Sequence, residues 1–236
     1  MLSQTSKSTL VILAIGATIA AANLYVAIET RLKVESAPQN VGRAPFTSDD
    51  LRYHGDDAKV SGPERDGTEI DVDLPVSQHV KNFGAPGDGK GLCVFASMTM
   101  AARWHNVPPL SDIIHKINEG GGWPGKVDEI FRRYAPDVKY VQYEGADPSI
   151  LDKALSDDRP ACVTYGYGER YGMKTIYHMV LLVHIDARSA VILDNNFPGT
   201  YEWMSRAEFL KRWVHPSGKG WAYVMLLPPP PPVPHN

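Results

Sequence analysis

Residues 89–105, GKGLCVFASMTMAARWH, set one cysteine, Cys93, between a glycine-rich approach and an apolar run. Val94, Met98 and Ala101, with Phe95, Ser97 and Ala102 beside them, recur at three- and four-residue steps. That spacing predicts a buried helix from Leu92 to Trp104, stopped by Pro108 and Pro109, with Cys93 at its head. The thiolate is the nucleophilic form of cysteine, and unpaired amides and the helix dipole favour it at a helix N-terminus. Gly87, Gly89 and Gly91 would let the backbone turn tightly and bring amide donors near a substrate oxygen. A lone cysteine is also a common small core residue, so this stretch alone leaves both roles open.

Outward from that helix the pattern changes character halfway. A second helix is expected from Ser111, a plausible N-cap, through Ile113, Ile114 and Ile117 to Gly120–Gly122, and a third from Pro124 with Val127, Ile130 and Phe131. VKYVQYE (138–144) has strand composition, and Asp147 caps a fourth helix that carries Pro148 in its first turn. Strands then dominate: ACVTYGY (161–167), IYHMVLLVHID (176–186), AVILD (190–194) and GWAYVMLL (220–227). SRAE (205–208) is a capping box that opens a short helix through Trp213. Helices first and strands second predict an α+β fold with the two layers segregated.

The chain of 236 residues has a net charge of -3, 43% hydrophobic and 22% charged residues, which suits one main globular domain with extensions. There is no basic, aromatic-interleaved surface of the kind nucleic-acid binding needs, so no nucleic-acid partner is expected. Two cysteines cannot build a disulfide framework, and no Cys/His cluster has zinc-site spacing; no metal or cofactor is expected.

Residues 1–35 form the first extension. Thr9 to Ile28 is an uncharged run of twenty residues, long enough to cross a hydrocarbon core. It is taken as an uncleaved N-terminal transmembrane helix with the rest of the chain extracytoplasmic, although Ala20 and Ala22 would also suit an export signal. Residues 36–75, rich in Pro, Gly, Ser and Asp, are expected to be a linker or an extended arm lying on the domain. The folded domain is placed at 76–227. The tail, 228–236, is mostly proline and must adopt polyproline II, either as a stiff solvated end or as a ligand for a partner's aromatic groove.

A cysteine nucleophile needs a base and the base an orienting group, neither of them necessarily near in sequence. Of the eight histidines, His178 stands at the mouth of the apolar run MVLLV, where an imidazole has little reason to be without a task. The next strand delivers Asp194 and Asn195 after a short turn, so a contact across an antiparallel pair is feasible. The two residues point to opposite faces of an ideal strand, and only one of them can meet His178. Cys162, within an expected central strand, and the five tryptophans are assigned to packing, and GYGERYGMKTIY (166–177) to one wall of a cleft.

The order of cysteine at a helix start, then H-x-V-x-L-V, a turn, and V-I-L-D-N resembles the papain-like cysteine peptidases. DNNFPGTYEWMSRAEFLKRW (194–213) is similar to the bacterial branch that includes the double-glycine leader peptidases. The resemblance covers about Val76 to Leu227 and implies a papain-like fold acting on a peptide or protein substrate. It implies Cys93 as nucleophile, His178 as base and Asp194 as orienting residue, with Asn195 the rival. Thiol amidases or transamidases, and a non-catalytic binding protein on the same fold, share the pattern. The family's oxyanion-donating glutamine is replaced here by Gly87, six positions before the cysteine; Gln78, favoured slightly, and Asn82 are the nearest side-chain amides.

Overall fold

The helical period after Leu92 becomes helix α1 (Cys93–Trp104) in a computed structural model of the protein, which describes residues 69–167 and 174–228 and the backbone of 59–61. Every residue of α1 except Arg103 is buried, so it is a core helix rather than a surface one. It ends before the prolines. Asn106 takes the left-handed conformation (φ 51°), while its amide and that of Val107 return to Arg103 and Ala102, closing the last turn. Of the expected second helix only a 3-10 turn, Ile113–Lys116, forms. Ser111 does not cap it, because its hydroxyl donates back to the Pro108 carbonyl at 3.0 Å.

The other elements follow in chain order: α2 (Pro124–Tyr134), β2 (Tyr140–Gly145), α3 (Ser149–Ser156), β3 (Ala161–Tyr167), β4 (Thr175–Ile185), β5 (Ser189–Leu193), β6 (Thr200–Ser205), α4 (Arg206–Val214) and β7 (Gly220–Met225), with β1 (Lys59–Ser61) before them all. The Asp147 carboxylate accepts from the Ser149 amide at the head of α3, and Ser205 accepts from the Glu208 amide at the head of α4. Strand order is β1-β6-β5-β4-β3-β7-β2, antiparallel throughout except that β1 runs parallel to β6. Helix α1 packs on β4 and β3 at the centre of this sheet, and α3 and α4 also contact β3. The fold is α+β.

Two strands lie outside the sequence expectation: β6, and β1 within the supposed linker. The end of that linker is also part of the core. Ile70, Val72 and Leu74 are buried, and the Val72 amide donates to the Val183 carbonyl of β4 at 2.9 Å. The alternation I-D-V-D-L puts the apolar side chains inward and leaves Asp71 and Asp73 to bond His184 and Tyr201. The domain core therefore begins at about Ile70 rather than at Val76. The expected transmembrane segment at 9–28 and the tail beyond Pro228 lie outside the described residues, among which no helix is long and apolar enough to cross a membrane.

Candidate active site

His178 is the fourth residue of β4, just before the strand becomes fully buried. Strand β5 lies beside it with Leu193 opposite Leu181, so the chain leaving β5 emerges next to the mouth of β4. There Asp194 Oδ1 accepts from His178 Nε2 at 2.9 Å, the side chains being only 2% and 5% exposed. The turn holds the carboxylate in place: the Asn196 amide donates to the same Oδ1 at 2.9 Å and the Phe197 amide to the Asp194 carbonyl at 2.8 Å.

Asn195 points elsewhere. Its amide donates to the carbonyls of Met179 (2.8 Å) and Cys93 (3.2 Å) and to Ser97 Oγ (3.0 Å), which fastens the head of α1 to β4. Its Oδ1 is buried without a hydrogen-bond partner among the described residues. Asp194, and not Asn195, meets the imidazole, as the alternation of side chains along an extended chain requires.

Cys93 is the first residue of α1 and lines the same cleft as His178, with its sulfur close enough to act on the charge of the ring. Nε2 faces Asp194 and, at 3.4 Å, the side-chain amide of Asn196. Burial alone would lower the pKa of His178. The hydrogen bonds and charges of Asp194 and Cys93 outweigh it and push the ring up to about 9. At Cys162, burial, only partly offset by a hydrogen bond with Tyr223, raises the thiol to about 12, in keeping with a core residue.

The two amides proposed for the oxyanion part company. Gln78 ends a 3-10 turn (Val76–Gln78), its carbonyl accepts from Arg103 at 3.0 Å, and it does not line the cleft. Asn82 does. Its Oδ1 accepts from the Leu92 amide at 2.8 Å, and its Nδ2 donates to Asn196 Oδ1 at 3.0 Å. The glycine-rich approach is a hairpin closed by a bridge between Gly84 and Gly91. Gly89 takes φ +70° there, and a Cβ on Gly120 would collide with the Lys90 carbonyl, so the second loop meets the hairpin only with glycine at 120. The amide of Cys93, first in its helix, has no acceptor within that helix and is left for a ligand.

A cleft of about 920 Å³ opens over Cys93 and His178. Gly166, Ile176 and Tyr177 supply part of its wall, as expected of 166–177, although 168–173 lie outside the described residues. Tyr177 is 92% exposed beside His178. Trp123, 57% exposed, departs from the packing role given to all five tryptophans. Sequence reasoning passed over Asn196 and Tyr223, whose hydroxyl donates to the Val94 carbonyl at 2.9 Å. The repeated amide in D-N-N was the available signal for Asn196; nothing local marks Tyr223.

No protein-family model matches the chain, and no curated protein does. Among solved structures, a crystal structure of a Bacillus anthracis protein, named provisionally as a C39-like peptidase, aligns with 66% of this chain and 98% of its own at 16% identity and a TM-score of 0.47. A likeness of that size decides neither family nor activity.

Proposed function

We propose that the protein is a papain-like cysteine peptidase, similar in pattern to the branch that includes the double-glycine leader peptidases. The observation that carries this is His178, set between the Cys93 thiol and the buried Asp194 carboxylate at the floor of one cleft. In the reaction the Cys93 sulfur attacks the scissile carbonyl carbon, and the carbonyl π pair moves onto oxygen. The Cys93 amide and the second N–H of Asn82 Nδ2, the first being held by Asn196, are the donors for that oxyanion. Collapse expels the leaving nitrogen, which takes the proton from His178 and departs as the amine. His178, now neutral, removes a proton from water, whose hydroxide displaces the thioester sulfur and releases the acid. Asp194 holds the imidazole orientation and stabilises its cationic form throughout.

The test is mass-spectrometric mapping of iodoacetamide adducts on the folded chain, together with cleavage of unstructured protein by the wild type and Cys93→Ala. Alkylation at Cys93 with Cys162 spared, and cleavage lost in the variant, are expected. A folded protein whose Cys93 resists alkylation as Cys162 does overturns the peptidase reading. Residues 9–28 are proposed to tether the enzyme to a membrane with its domain extracytoplasmic, supported by their uncharged length. Full-length protein that stays soluble without detergent, with its N-terminus intact, counts against the tether.

A further inference from the structure

The end of the cleft remote from Cys93 is formed by the paired strands β2 and β7, where Glu144 stands directly opposite Trp221. Residues opposite each other in an antiparallel pair present their side chains to the same face, so Glu144 and Trp221 project from one face of the sheet. The indole is held: its N–H donates to Gln142 Oε1 at 3.0 Å, and Gln142 donates in turn to Asp128 Oδ1 at 2.7 Å. Among the described residues Glu144 is the only carboxylate on the cleft wall, and it is exposed and makes no ion pair with them. Of the lysines on the cleft wall, Lys90 is paired with Asp88 at 3.3 Å, and Lys219, in the turn before β7, makes no ion pair with Glu144.

A carboxylate and an aromatic ring on one face, with no cation among the described residues paired to that carboxylate, are the chemistry that receives an alkylammonium or guanidinium group: charge from one, ring quadrupole from the other. The subsite is also within a substrate's reach of the nucleophile. Tyr223, bonded to the carbonyl of Val94, the residue after Cys93, lies two positions along β7 from Trp221, a step of about 7 Å.

We infer that Glu144 and Trp221 form a specificity subsite for a basic side chain, arginine or lysine, of the substrate, a few residues from the scissile bond. This rests on the peptidase reading for what the substrate is, but its binding chemistry is separable from turnover. The experiment passes hexapeptide pools, with one position fixed as arginine or as its neutral near-isostere citrulline and the others randomised, over immobilised full-length Cys93→Ala protein. Retained peptides are counted by mass spectrometry. Arginine should be enriched about tenfold over citrulline at one position, less so at high salt, and the enrichment should vanish when Glu144→Gln is added. Equal retention of the two pools, or an arginine preference that survives Glu144→Gln, overturns the subsite. Cleavage of the same pools by protein with Cys93 intact reads the peptidase assignment separately: cleavage without arginine preference sinks only the subsite, and retention without cleavage sinks only the peptidase.

Discussion

Strand β4 carries two histidine–aspartate pairs six residues apart, and they have the same bond length. His178 Nε2 lies 2.9 Å from Asp194, and His184 Nδ1 lies 2.9 Å from Asp71; each ring is 5% exposed. In both, the partner carboxylate raises the histidine pKa against the lowering effect of burial. They differ in what else acts on the ring. For His178 it is a thiol at a helix head that opens into a cleft; for His184 it is a second carboxylate, Asp186, at 3.6 Å. The His184 pair clasps residues 70–74 to the sheet, with the Ile185 amide also reaching Asp71 at 3.4 Å. A buried imidazole on a carboxylate is thus not in itself a catalytic site. In the proposed peptidase it is the cysteine and the opening that set His178 apart.

The largest expected separation between the two pairs is in the histidines themselves. His178→Ala should lower kcat/KM by roughly 10²- to 10⁴-fold, the usual span for a general acid–base. His184→Ala should leave kcat/KM within a few-fold and lower the melting temperature; an activity loss comparable to that of His178→Ala would erase the distinction.

The acids should divide in the same way. Asp194→Ala should cost on the order of 10²-fold or more in turnover, whereas Asp71→Ala should loosen the arm, detectable as faster hydrogen exchange of the Val72 amide. Asn195→Ala tests the neighbour that does not touch the imidazole. It removes a two-hydrogen donor shared among three acceptors and should cost about 1–3 kcal/mol of stability, read by urea titration, with a smaller loss of turnover than Asp194→Ala. The reverse ranking would transfer the orienting role to Asn195.

The smallest effect, and the sharpest discriminator, is in pH. His178 is raised from 6.5 to about 9, so its contribution to stability is complete below about pH 6.5 and disappears as pH rises through about 9. His184 is also raised, so its contribution too is lost on the alkaline side. Both therefore appear in a stability profile, but only His178 should appear in kcat/KM, as an alkaline limb near pH 9. Asp194→Asn should move that limb to lower pH, and His184→Ala should leave it in place. A limb that shifts with His184 would show that the two pairs are coupled.

What was legible in the chain follows from what is local. The 3.6-residue period after Leu92, the β-branched runs of β3, β4 and β5 and the S-x-x-E box before α4 are properties of short windows, and each became the expected element. The short strand TYEWMS, the I-D-V-D-L arm and the 3-10 turn after Ser111 were not legible as such. Their conformation is set by partners outside the window itself: β5 for TYEWMS, Val183 and His184 for the arm, Thr99 for the turn.

The site divides along the same line. Cysteine at a helix head, a histidine at the mouth of an apolar strand and an acid closing the next strand are stated by residue order alone, because backbone periodicity determines where each side chain emerges. Tertiary structure decided the rest. The turn after Leu193 aims Asp194 at the imidazole and sends Asn195 to the α1 backbone, and the hairpin closed by Gly84 and Gly91 brings Asn82, not Gln78, to the cleft. Each of these choices lies between neighbouring or chemically similar side chains. Only the direction of the backbone at a turn, fixed by its own hydrogen bonds and by those to packed neighbours, separates them.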